Sequence, residues 1–392
     1  MRPRFVLATA TSTVIVLSAP FTGQARAWIR TTFPGHAVAA ITILGAVLLL
    51  AGLATAVARI RDRRASRYGS IIAAIVLAAT YSAANAGELP ESNAVERFHF
   101  LEYGLITFLF YRAWLPLADA SVFLLPFLAG LIVGTAEEWL QWFIPNRVGE
   151  LRDIFLNGVA ITSGLLFSAG VEPPRSFHLA LSRVSAQKVL RLAAATIVAL
   201  GAFMHVVMLG YEIRDDEIGT FTSRYSPDHL PRLQIEKRER WKLEPPPLTL
   251  HRLSREDQYL SEGLAHVRWR NKRWAAGDAR GAWNENRILE KYFAPVLDTP
   301  TYEGRTGHRW PAEQRTDAVS RVGDRAADRY VSGAYPYELL LWPRTVFWMV
   351  AGSFAAILLL VSAIPLAPRR EAPARGGPAT PPSKRPLRSG RR

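Results

Sequence analysis

The 392-residue chain contains no cysteine and only four methionines. Without thiols, disulfides, thiolate metal sites and cysteine nucleophiles are excluded, so an extracytoplasmic segment would have to hold together by packing alone. A nucleophilic-serine motif, a phosphate-cradling glycine loop and a dinucleotide fingerprint are missing as well. So is a basic nucleic-acid face. The net charge is +15, yet residues 212–341 carry 22 Lys/Arg against 21 Asp/Glu, and the surplus sits at alternate ends of apolar runs. That placement is a membrane-topology signal, and no nucleic-acid partner is expected.

Apolar runs are what the sequence does have: it is 49% hydrophobic. Basic Met1–Arg4 precedes apolar Phe5–Pro20, and Ala25-Arg26-Ala27 has the look of a small-residue cleavage site. The segment fits a signal peptide or a short retained anchor, and the anchor is preferred. Further spans are expected at Val38–Ile60, Ser70–Ala86, Phe98–Leu115, Ser121–Ile144, Leu151–Gly170, Val189–Leu209 and Thr345–Leu366. With both termini inside, about twenty Lys/Arg lie on the inner side against about five in short outer segments. The expected fold is therefore all-α: a polytopic transmembrane bundle of about eight spans with a mostly helical extracytoplasmic domain. Its parts are a membrane domain (1–211), the outer domain (212–342), a last transmembrane helix (343–366) and a disordered basic cytoplasmic tail (367–392) suited to anionic lipid headgroups.

Within the outer domain, Ser254-Arg255-Glu256-Asp257 reads as a capping box before Leu260, Leu264 and Val267 at helical spacing. Gly277-Asp278 breaks and restarts a helix carrying Trp283, Ile288, Leu289, Tyr292 and Phe293, stopped by Pro295. A charged helix precedes this hairpin around Gln234–Lys242. Trp269, Trp274, Trp283 and Trp310 could line a glycan or peptide groove, but the favoured reading makes them the core of a small disulfide-free domain.

Ionisable groups inside spans are costly and mark function. Glu96, His99, Glu102 and Tyr103 share one face of the fourth span. In the fifth span Glu138 and Gln141 share a face, whereas Glu137 points about 100° away. In the sixth, Asp153 and Asn157 are four apart, and Gly158 and Gly164 permit close helix approach. Counting 1.5 Å per residue from Ile144 puts Glu138 about 9 Å below the outer end, level with the other two groups. An outer-leaflet polar cavity is expected, with Arg147 and Arg152 at its mouth. Glu96-x-x-His99 is half of a di-iron motif whose second half is missing, so no metal and no cofactor are expected.

The order of these residues resembles the VanZ-like family of bacterial membrane proteins over roughly residues 38–170. The matching positions are His99 and Tyr103; Glu138, Gln141, Pro145 and Arg147; then Asp153, Asn157, Gly158 and Gly164. Glu96-Arg97 stands where an Asp-Lys pair often precedes the histidine, and Asn146 where glycine is common. The resemblance implies a cell-envelope protein linked to low-level resistance to the glycopeptide teicoplanin, without a defined reaction. On the residues, the first reading is a site that binds or modifies a lipid-linked anionic group such as a polyprenyl phosphate or phospholipid head. His99 would transfer the proton, tuned by Glu102 and Glu138; Arg147 would clamp the anion; Asp153 and Asn157 would orient it. Tyr103 and Gln141 join Arg147 and Asn157 among the substrate-binding positions. The alternative is a non-catalytic anchor in the bacterial cytoplasmic membrane that presents the outer domain to an envelope protein or glycan.

Overall fold

The computed structural model describes residues 2–87, 90–142, 151–241, 254–298, 307–322, 330–335 and 339–364. The tail expected to lie in the cytoplasm falls outside these. So do Pro145, Asn146 and Arg147.

Alanine, leucine and valine dominate the first half, and a chain with so few polar side chains satisfies its backbone most simply as helix. Helix α1 (Arg2–Ser18) passes through a 3-10 turn at Ala19–Phe21 into α2 (Thr22–Thr32). There follow α3 (Ala37–Arg59), α4 (Arg64–Ala84), α5 (Pro90–Trp114), α6 (Ser121–Gln141), α7 (Leu151–Val171) and α8 (Arg183–Val207). A last apolar helix closes the described chain, Arg344–Ala363. Among the described residues, seven segments are long and apolar enough to cross a membrane: residues 3–32, α3, α4, α6, α7, α8 and the last helix. At 25 residues α5 is also long enough, but Glu91, Glu96, Arg97 and Glu102 crowd its first half. Exposed Ile43, Val47 and Leu50 on α3, with Phe354, Ile357 and Leu360 on the last helix, give the bundle an apolar exterior suited to lipid.

The charged helix α5 sits at the centre, against α1, α3, α6 and α7. It runs parallel to α7, with Glu96 beside Arg152 at one end and Tyr111 donating to the Glu172 carbonyl at the other. Gly164 makes this possible: a Cβ there would lie 2.9 Å from the Gly104 Cα and 3.0 Å from the Thr107 Cβ. Helix α4 runs antiparallel to α7; Ser70 donates to Leu166 (2.6 Å) and Ser163 to Ala74 (2.9 Å). Buried Arg67 donates to the last carbonyls of α7, those of Gly170 and Val171, and so closes that helix end. Helix α1 is part of the core: Ala8 is wholly buried, and Phe5 meets Phe110 and Trp114 edge-on.

Between α8 and the last helix lies a domain with its own core. Strands β1 (Tyr211–Asp215) and β2 (Gly219–Ser223) form an antiparallel hairpin that pairs Ile213 with Phe221, both buried. Helices α9 (His229–Arg240), α10 (Ser254–Ala275), α11 (Ala279–Tyr292), α12 (Ala294–Asp298) and α13 (Ala312–Val322) follow, and the last apolar helix becomes α14 (Arg344–Ala363). Leu230, Tyr259, Leu264, Ile288, Phe293 and Val296 pack on the hairpin. The expected break at Gly277 is present with φ +78°, and Asp278 caps α11 by accepting from the Gly281 N–H at 2.8 Å. Pro295 does not simply end a helix; it lies in the first turn of α12, where its missing N–H costs nothing. The hairpin is the non-helical part of a domain expected to be mostly helical.

The favoured assignment of four tryptophans to the core is corrected. Trp269, Trp274, Trp283 and Trp310 are half-buried and lie outside the core, whose buried tryptophan is Trp241. The reason is that cations cover them: Arg273 and Lys272 lie over Trp269, Arg321 over Trp274, Arg315 over Trp283 and Arg270 over Trp310.

The domain leaves and rejoins the bundle at one point. The Gly210 N–H donates to the Leu340 carbonyl (3.1 Å), and the Leu340 N–H to that of Met208 (3.0 Å). Arg344 stacks 3.9 Å over Tyr211 and donates to the Leu209 carbonyl. Helix α14 then locks onto α8, its Trp348 indole N–H donating to His205 Nδ1 at 3.1 Å.

Candidate functional site

The site grows from one face of α6. Gly130, Gly134, Glu137 or Glu138, and Gln141 recur at spacings of three and four, which aligns them along the helix. The two glycines let α7 come close: a Cβ at Gly130 would strike Ile161 at 2.8 Å, and one at Gly134 would strike the Asn157 amide at 2.9 Å. The same Cβ at Gly134 would lie 3.2 Å from the Tyr103 hydroxyl. Absent side chains therefore bring α5, α6 and α7 together at their polar positions.

Tyr103, wholly buried, donates its hydroxyl to Glu137 Oε2 at 2.6 Å. The Gln141 amide donates to Glu138 Oε1 at 3.1 Å and, more weakly, to Glu137 Oε1 at 3.4 Å. Glu138 and Asn157 are wholly buried, and Glu137 and Gln141 nearly so. Among the described residues, both buried amide atoms of Asn157 find no hydrogen-bond partner. One turn away on α5, His99 Nδ1 stands 3.6 Å from Glu102 Oε2, and Glu102 is close enough to Glu137 for their charges to interact.

A second polar group lies toward α4. Arg152 pairs with Glu96 at 3.0 Å, and Asp153, half-buried, shares an electrostatic neighbourhood with them and Tyr81. A narrow cleft of about 10 Å³ opens beside Tyr81, Asn85, Glu96 and Phe100, room for one water.

The structure thus joins Tyr103, Glu138, Gln141 and Asn157 around one point, with His99 and Glu102 beside them. Asp153 belongs to the Glu96–Arg152 group. Helix α6 is described to Gln141, and the span end expected near Ile144 lies outside the described residues. Two sequence expectations change. Gly158 faces Leu131 at 3.7 Å, an ordinary contact, so close approach belongs to Gly164 and Gly134. Glu137, expected about 100° off this face, accepts the central hydroxyl. The signal was present: Glu137 and Gln141 are four apart, as good a face-sharing pair as Glu138 and Gln141 three apart. Among the described residues no three His, Asp or Glu side chains converge as metal ligands.

Comparison with protein-family models, curated proteins and solved structures gives no match. The site therefore stands on its own geometry.

Proposed function

We propose that the chain is a VanZ-like, eight-span protein of the bacterial cytoplasmic membrane with both termini cytoplasmic and residues 212–342 outside. Its buried acid–tyrosine cluster binds or modifies a lipid-linked or anionic envelope component, such as a polyprenyl phosphate or phospholipid headgroup, and thereby affects teicoplanin-type susceptibility. The observation that carries this reading is the convergence of Tyr103, Glu137, Glu138, Gln141 and Asn157 within a few turns of one bundle end. Desolvated carboxyl groups beside a tyrosine and a histidine are equipped to hold and pass a proton. The Asn157 amide, without a hydrogen-bond partner among the described residues, is a ready donor and acceptor for a ligand. Arg147 and Arg152 would meet the anion. Support for the orientation comes from Arg59, Arg63, Arg64, Arg67 and Arg112, all at the opposite end. The test expresses His99→Ala, Tyr103→Phe and Glu138→Gln in a strain lacking the chain and profiles envelope lipids and teicoplanin tolerance. Loss in all three is expected; wild-type behaviour in all three, at normal protein levels, overturns the reading.

One observation favours a second reading, a membrane anchor that presents the inserted domain to an envelope partner. A cavity of about 330 Å³ opens in that domain, far larger than the cleft beside Glu96. If residues 211–341 tethered to an unrelated single span restore the phenotype, the bundle cluster is structural. If they fail, the bundle is needed for more than anchorage.

A further inference from the structure

We propose that the cavity between α10 and α13, walled by Trp274 and Trp310 and floored by Arg270, binds a carboxylate-bearing sugar unit of a glycan. At about 330 Å³ it falls at the lower end of the range for small-molecule sites, roughly 300–1,000 Å³, and suits one or two sugar rings.

Its floor is a cation short of counter-charge. Arg270 is 2% exposed, and its donors go to the Asn271 side-chain oxygen (3.2 Å), the Asn286 side-chain oxygen (2.9 Å) and the His308 carbonyl (2.8 Å). All three acceptors are neutral, and among the described residues two of the five guanidinium N–H groups make no hydrogen bond. The nearest acid in play, Glu290, is held by Arg315 (3.1 Å) and the Asn286 amide (3.0 Å). Burial lowers the Arg270 guanidinium to about 10, with Glu290 only partly opposing it. A planar cation with spare donors is matched by a carboxylate, which takes two parallel N–H bonds.

Its walls are two indoles fixed in place. The rings stand 5.4 Å apart at 54°, and the Gln314 amide oxygen, oriented to satisfy both, accepts from Trp274 Nε1 (3.1 Å) and Trp310 Nε1 (3.2 Å). Their polar edges turn to Gln314, and Arg321 and Arg270 lie over one face of Trp274 and Trp310, so the half-buried remainder of each ring is the hydrocarbon surface offered to a ligand. A sugar ring combines apolar C–H faces with polar edges, the combination these walls and floor accept. A peptide is usually read along a free strand edge or an apolar helix groove, and the cavity-lining residues provide neither.

The assignment depends on neither reading of the bundle, and it is tested without any phenotype. Purified full-length protein in lipid nanodiscs is titrated with a tetrasaccharide of alternating glucuronate and N-acetylglucosamine, followed by tryptophan fluorescence. Its methyl-esterified form, sodium acetate and inorganic phosphate are titrated in parallel. Saturable quenching by the acid form is expected, with the ester at least about tenfold weaker. Arg270→Gln and Trp274→Ala should each weaken the acid form by a similar factor, with melting checked to confirm folding. Equal binding of the ester, equal binding of free phosphate or acetate, no saturable binding, or an unaffected Trp274→Ala would each overturn the proposal. Should Arg270→Gln fail to fold, the ester comparison and Trp274→Ala decide.

Discussion

A tyrosine that donates to a carboxylate where neither can turn to water makes each group depend on the other. Tyr103→Phe takes one donor from Glu137 and should cost about 1–3 kcal/mol, read as a lower melting temperature of the detergent-solubilised protein. Adding Glu137→Gln to Tyr103→Phe should then cost less than its own single effect, because the partners are already apart. In the inserted domain, burial alone would raise the Asp215 carboxyl. The Lys291 ammonium (2.7 Å), the Tyr292 hydroxyl (2.6 Å) and the Glu217 N–H outweigh it and hold the group below its ordinary value. Asp278 is lowered too, by the Gly281 N–H and Arg273 against burial. The stability these aspartates contribute is complete above the unfolded carboxyl value, about 3.9, and disappears as pH falls through their lower folded values. Glu262 has the opposite sign. Complete burial raises it despite bonds from Ser223 and the Arg224 N–H, so its ionisation weighs against the fold as pH rises. Glu262→Gln should gain on wild type in melts run from about pH 4 to pH 7, while Asp215→Asn should lose least, relative to wild type, at the acid end. A flat difference for Glu262→Gln would refute the burial argument.

Helices supply the next scale, and here small residues decide. Gly164→Val would press a branched side chain into Gly104 and Thr107 and force α5 from α7. It should destabilise by about 1–3 kcal/mol or more, whereas Gly158→Ala, with Leu131 at 3.7 Å, should be nearly neutral; thermal melts of the two variants separate them. Most of the helix positions were legible beforehand, because a run of apolar residues fixes a membrane helix by length and hydropathy alone. The faces were harder to read. Glu137 and Glu138 are adjacent, and the side that turns inward depends on Gly130 and Gly134, whose role shows only once Ile161 and Asn157 sit against them. The β-hairpin escaped for a related reason: its strands are five residues each, and alternation over so short a stretch does not stand out beside longer helical patterns. The tryptophans misled because their type says buried while their cationic neighbours, distant in sequence for Trp274, Trp283 and Trp310, say otherwise.

For the whole molecule, the absence of cysteine becomes an experimental advantage, since a single introduced thiol is the only one present. Asn271→Cys on the exposed side of α10 should react with a membrane-impermeant thiol reagent added to intact cells. Ser176→Cys, exposed between α7 and α8, should react only after the cells are opened. The reverse pattern would invert the proposed orientation; labelling of both in intact cells would break the odd number of crossings between them.

The hydrogen-bonded clasp of Met208 and Gly210 with Leu340 has a consequence for how such a chain is made and how it can change. Because the two strands of chain emerge side by side, the bundle experiences everything between them as a short loop, however many residues it contains. Replacing Tyr211–Leu339 with a few Gly and Ser residues should therefore leave α8 and α14 paired, visible as retained Trp348 fluorescence and a single symmetric elution peak at the smaller size expected. Evolution has the same freedom. A cargo carried on one hinge of this kind can be enlarged, exchanged or dropped without redesigning the raft beneath it.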